Sequence, residues 1–212
     1  MATTAVDICN MALSLLGDEA TVSSLEPPEG SAQADHCARF YGIAVNDILS
    51  EHAWSFALKR VELPQLADEP VGEPGGKAYS VPADCVRVTL CRGRIAGNYR
   101  MLRGYSMENM NGERVIVTKA SDVWIRYVSS QVDPSAFSPP FISALVHRVA
   151  SLLAGALVPG SSGMSMAQEQ IKLYEHYLAR ARNQDARQQA GKEKYRPKFV
   201  GDAVVEDRDA IY

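Results

Sequence analysis

Apolar positions in the first sixty residues recur at the three-to-four-residue spacing of an α-helix. Ala5, Ile8, Cys9, Ala12, Leu15 and Leu16 make one stripe. Thr4, with Asp7 three positions on, resembles a capping box in which Asp replaces the usual Glu, and Gly17 is a natural stop. A second helix is predicted from near Ser31, with a stripe of Ala34, Cys37, Ala38, Tyr41, Val45, Ile48 and His52. Between the two, SSLEPPEGS carries two prolines and reads as a loop.

The period then changes. Residues 60–77, RVELPQLADEPVGEPGGK, form a long Pro- and Gly-rich connection. Its GGK end is not a phosphate-binding loop, since Val71 stands where that motif needs glycine and Ala78 where it needs Ser or Thr. AYSVP, CVRVTLC, YRMLRGY, RVIVT and VWIRYV are short, β-branched or aromatic and divided by turn residues. They predict one small antiparallel sheet over 78–128. After DPSAFSPPF, helices are expected over about 139–158 and 165–190, with GSSG (160–163) as the turn between them. The last helix shows an a/d-like stripe of Ala167, Ile171, Tyr174, Leu178 and Ala181. The expected fold is mainly α with a β insertion (α+β). Residues 1–60 and 134–190 form a helical bundle, 61–133 a linker and small antiparallel β domain, and 191–212 an extended C-terminal arm.

Composition changes this picture only at a few points. FISALVHRVASLLAGALV (141–158) is long and apolar enough to be tested as a membrane span. His147 and Arg148 at its centre and prolines at both ends favour a buried core helix, so no membrane insertion is expected. The N-terminus has no basic segment leading into an apolar run, so no signal peptide is expected. The four cysteines form no CxxC pair, and no histidine sits at ligand spacing; reduced, buried thiols in a cytosolic fold are expected, without metal or cofactor.

The net charge of −3 hides an asymmetry. Residues 1–75 hold three basic and twelve acidic residues, whereas 76–133 hold nine basic and five acidic. Such polarity suits head-to-tail contact between identical copies.

HAWSFALKR (52–60) places a tryptophan, a phenylalanine and two cations just past the second helix. Trp54, Phe56 and Leu58 share one side of an extended segment; Trp54, Leu58 and Val61 would share a helical face. Either arrangement anchors the helix to the β domain, so core packing is the leading reading. Docking on a neighbour is second, because aromatics and Arg dominate interface anchors. Base stacking is third, because one aromatic pair in an acidic region makes no platform.

No catalytic constellation stands out. His36, His52, His147 and His176 are scattered, and GSSG lacks nucleophile-elbow spacing. The sharpest enzyme alternative is cell-wall glycan cleavage, which needs two flanking carboxylates. Glu26 and Asp35 are its candidates, but one lies in a Pro-rich loop and the other at a helix start. Arg87, Arg92, Arg94, Arg100 and Arg103 of the β domain could meet DNA phosphates; an acidic partner surface is the simpler reading.

Four stretches in fixed order carry a family resemblance: DICNMALSLLG (7–17), ARFYGIAVNDILSEHAWSFALKR (38–60), YSVPADCVRV (79–88) and IRYVSSQVDPSAFSPPFISALVHRVASLLA (125–154). Together they resemble the tail tubular protein A family, the head-to-tail adaptors of short-tailed bacteriophages, over roughly residues 5–185. Family members often have proline between the His and the Trp, where this chain has Ala53. The resemblance implies a non-enzymatic virion protein of the tail or neck, present in host cytoplasm during assembly. It implies a ring of identical subunits, usually twelve, bound below the portal protein. That ring would extend the DNA channel without sequence-specific binding and receive the tail nozzle protein. Residues expected at docking surfaces are Trp54, Phe56, Arg92, Arg94 and Arg100. To these the arm would add Tyr195, Phe199, Val204, Val205, Ile211 and Tyr212, whose apolar side chains can anchor an extended segment in grooves.

Overall fold

A computed structural model describes residues 3–19 and 21–190. Helix α1 (Ala5–Leu15) begins at the predicted cap: the Thr4 side chain accepts from the Asp7 N–H, and the Asp7 carboxylate accepts in return from the Thr4 N–H. It buries Ile8, Cys9, Ala12 and Leu13, while Leu15, expected on the stripe, is 41% exposed. Helix α2 (Ala32–Glu51) starts where Ser31 caps the Ala34 N–H. His52 is not on its stripe but forms its extended C-cap.

The chain then makes one 3₁₀ turn over Ser55–Ala57 and enters strand β1 (Leu58–Glu62). Six more strands follow: β2 (Lys77–Ser80), β3 (Cys85–Ile95), β4 (Asn98–Met101), β5 (Ser106–Met110), β6 (Glu113–Thr118) and β7 (Ser121–Ser129). Helices α3 (Pro139–Leu157) and α4 (Ser161–Ala190) complete the bundle.

The four helices and the antiparallel β region bear out the α+β class, with four corrections in detail. The single expected sheet is two, ordered β1-β7-β3-β4 and β2-β6-β5. The β region also begins earlier than residue 61, because Leu58–Glu62 pairs along its whole length with β7. Strand β5, SMENM, is too polar to announce itself. GSSG is not a free turn either: α4 already begins at Ser161, inside it.

That early start depends on Gly163. A Cβ there would lie 2.2 Å from the Val158 carbonyl oxygen and 2.9 Å from that of Ala154, so only glycine lets α4 close against the end of α3.

Helix α3 is the core of the bundle and touches each of the other three helices. Phe141, Ala144, Leu145, Val149, Ala150, Leu153 and Ala154 on it are fully buried. Among the described residues it is the one helix long and apolar enough to cross a membrane, and half of that window is buried inside the protein. Its Arg148 is paired with Asp47 of α2 at 2.6 Å.

The two sheets face each other across a second core, which includes Tyr79, Cys91, Leu102, Ile116, Val123, Ile125 and Tyr127. The linker is partly pinned to it: Leu66 N–H donates to Ala78 O and Ser80 N–H to Pro64 O, laying residues 64–66 beside β2. Gly93 of β3 faces this core, where a Cβ would meet that of Ala120 at 2.8 Å.

Gly163→Ala is expected to destabilise the protein by about 1–3 kcal/mol through overpacking. Urea unfolding followed by circular dichroism measures this, with Gly155→Ala on the exposed side of α3, where a Cβ meets nothing, as the near-neutral control.

Candidate docking surface

Each residue of HAWSF has a defined place. Trp54 is fully buried, and its indole N–H donates to the Ile48 carbonyl at 2.8 Å. Its ring meets Phe141 edge-on at 4.9 Å, and half-buried Phe56 packs against both Phe137 and Phe141. These are core contacts, and Trp54 has no ring surface left for a partner. His52 is in the extended backbone that a following proline would impose, so the turn forms without one at Ala53.

Ser55, His52 and Asp185 sit together, but not as a catalytic triad. Asp185 is the centre: it accepts from the Ser55 N–H at 3.0 Å, the Ser55 hydroxyl at 2.6 Å and the Gln189 amide at 2.6 Å, with His52 Nε2 at 3.0 Å. A nucleophilic serine needs its hydroxyl on the imidazole; here both groups bind the carboxylate, which clasps the turn to α4.

Asn10 closes the first loop in the same manner. Its amide donates to Val22 O at 2.9 Å and its carbonyl accepts from Val22 N–H at 2.8 Å. Beside it, Cys9 is buried against Cys37; the hydrogen bond between the two thiols and their burial push Cys9 up and keep it protonated. Burial likewise pushes the Cys91 thiol up to about 11. Neither is an activated nucleophile.

Asp84 gathers three strands' ends. Ser129 donates to it at 2.7 Å, Lys59 at 3.0 Å and Tyr127 at 3.1 Å. Burial alone would raise its carboxyl, but the hydrogen bonds from Ser129, Lys59 and Tyr127 outweigh that and hold it below the ordinary 3.8.

Arg92, Arg94 and Arg100 lie on a two-stranded ribbon. Ala96 and Gly97, at φ 49° and 83°, make the two-residue turn between β3 and β4, with Ile95 opposite Asn98. Arg92 and Arg94 point to one face of it; Arg100 is opposite Gly93 and points to the other. The three arginines expected to act together are therefore split by the pleat. Arg92 and Arg94 instead meet aromatics. The Arg92 guanidinium lies 5.7 Å from the ring centre of Trp124, and that of Arg94 lies 5.0 Å from that of Tyr99. Trp124 and Tyr99 were absent from the expected docking set. The signal for Trp124 was present in VWIRYV: period-two alternation opposes it to Val123 and Ile125, which are core.

A cleft of about 890 Å³ lies between the start of α1, the 23–26 loop, α2 and residues 130–137. Its lining offers one carboxylate, Glu26; Asp35 is elsewhere on α2. Glycan cleavage requires two. Tyr195, Phe199, Val204, Val205, Ile211 and Tyr212 lie outside the described residues.

The chain matches no family model and no curated protein.

Asp84→Asn is expected to lower stability by about 2 kcal/mol at neutral pH, from lost hydrogen bonds to a charged group. Because the folded-state carboxyl is depressed, this contribution is present above about pH 4 and disappears as pH falls through the folded value. Unfolding curves of both proteins at pH 7 and pH 3 should show the gap narrowing at the lower pH.

Proposed function

We propose that this protein is a structural head-to-tail adaptor of a short-tailed phage. In this reading it sits as a ring below the portal, extends the DNA channel and offers a docking surface to the tail nozzle. The observation that carries the proposal is the set of ordered motifs, each of which supports the scaffold. Asn10 of the Cys-Asn pair ties Val22 to the first helix, His-x-Trp-x-Phe joins the bundle to the β domain, and Asp84 of Pro-x-Asp-Cys clamps the strand ends. Side chains set for catalysis would instead converge in a cleft. The chain also sets a strongly acidic N-terminal region against an arginine-rich β region, a polarity that repeated contact between copies can use.

The test is direct imaging. Purified protein mixed with portal assemblies of the virus that encodes it is expected to add a ring of density below the portal. Portal left bare at saturating protein would refute the reading. Truncation after Ala190 is expected to leave helical circular dichroism and melting temperature nearly unchanged while weakening portal binding at least tenfold; unchanged binding would remove the arm from the docking set. A peptidoglycan zymogram separates the wall-hydrolase alternative: no clearing is expected, and clearing that Glu26→Gln abolishes would favour that alternative.

A further inference from the structure

The outer face of the four-stranded sheet has an unusual composition. Arg92 is the register partner of both Trp124 and Met101, and Arg94 of Tyr99. Arg126 follows Trp124 by two positions on β7. All six therefore point away from the core that Cys91, Val123 and Ile125 fill from the other side. Tyr99 is 52% exposed and Met101 56%, and Trp124 is half-buried. Arg94 is held by Asp122 at 3.1 Å, and Arg126 Nε donates to the Thr89 hydroxyl at 3.1 Å.

Tryptophan, tyrosine, methionine and arginine without lysine make up the centre of a protein–protein interface. The arginines are already oriented by stacking and ion pairing, so less side-chain entropy is lost when a partner arrives. Nucleic acid fits this face less well. Base stacking needs open ring faces, and here a guanidinium covers one face of each ring.

Arg60 and Glu62 of β1 are the register partners of Arg126 and Trp124 on this face, so four arginines there outweigh Glu62 and Asp122. An acidic partner suits that balance, and the chain itself supplies one. Residues 1–38 contain six acidic residues and neither Lys nor Arg. Glu19, Glu26 and Glu29 are exposed in the loop before α2. That loop shares a cleft with Ser130, Gln131 and Val132, just past the end of β7, whereas Arg94 pairs with Ser121 at the other end of that strand, about 25 Å away at roughly 3.3 Å per residue.

We propose that the arginine–aromatic face of the four-stranded sheet docks on the acidic loop between α1 and α2 of a second copy of this chain. Such a contact is heterologous, so it propagates from copy to copy and closes into a ring when the rotation allows. The inference rests on the adaptor reading for its ring-forming role. Its test uses the purified chain without portal, so its failure is read separately from failure of portal binding.

The experiment is sedimentation velocity of the full chain at about 0.01 M and 0.15 M salt, where the screening lengths are about 30 Å and 8 Å. Wild type is expected to self-associate with concentration at low salt and several-fold less at high salt. Two charge-reversed variants are then compared, Arg92→Glu with Arg94→Glu, and Glu19→Lys with Glu26→Lys. Each alone should associate at least tenfold more weakly than wild type, and an equimolar mixture should recover association, since each supplies the surface the other lacks. Melting curves matching wild type verify folding. Should the arginine variant fail to fold, Tyr99→Ser with Met101→Ser, at two exposed positions, replaces it with the same expected loss. A wild type that stays monomeric at low salt, or variants that associate normally, would overturn the proposal. So would a mixture that fails to recover, or a monomeric wild type that binds a fluorescent single-stranded oligonucleotide through this face.

Discussion

The turn at residues 52–57 has to satisfy two demands at once. It must end α2 inside a packed bundle and deliver the chain, within a few residues, to a strand of a different core. A buried carboxylate on α4 makes this possible. Asp185 is only 4% exposed, yet its oxygens meet the Ser55 amide and hydroxyl, the Gln189 amide and the His52 ring. A buried charge without such partners would be strongly destabilising. With them, it fixes the turn from the outside while Trp54 fixes it from the inside, between Ile48 and Phe141. The end of β7 leads the chain back into the same region through Phe137, so both crossings between bundle and β domain pass beside one aromatic cluster.

The β domain inherits its polarity from this arrangement. β1 can pair with β7 only if Val61 and Ile125 face inward, and that register sends Trp124 and Arg126 outward. Gly93 then allows the ribbon strand to lie close over Ala120, which leaves Arg92 and Arg94 on the outer surface beside the aromatics. The basic face is thus a consequence of how the core is filled. It also lies toward the Ser121 end of β7, whereas the acidic 23–26 loop borders the residues just past the Ser129 end. Charge separation along a rigid scaffold favours contacts between copies over contacts within one.

Three side chains on separate elements share a further property. Asn10, Trp54 and Asp84 each hold a backbone or strand end that would otherwise be free to move. Their side chains are consumed by the fold, and the Cys9 and Cys91 thiols are pushed up, the first by its hydrogen bond with Cys37 and by burial, the second by burial. A protein whose distinctive residues serve geometry is suited to presenting surfaces.

Local patterns carried much of this structure in the sequence itself. The Thr4–Asp7 box, the Ser31 cap and the four helices depend on contacts within a few residues, so spacing alone reveals them. The alternation in VWIRYV determined which side of β7 is core. Other features depended on partners far along the chain. LKRVE becomes a strand only because β7 lies beside it, and nothing in its own pattern distinguishes it from a helix end. The polar β5 exists because β6 offers it a ladder. Arg100 parted from Arg92 and Arg94 because register decides which face a side chain takes. Asp185, an ordinary acid on a polar helix by sequence, became a buried clasp because His52 and Ser55 reach it across more than a hundred residues of chain. Short-range periodicity is written in the order of residues, whereas burial and pairing across the fold belong to the packed molecule alone.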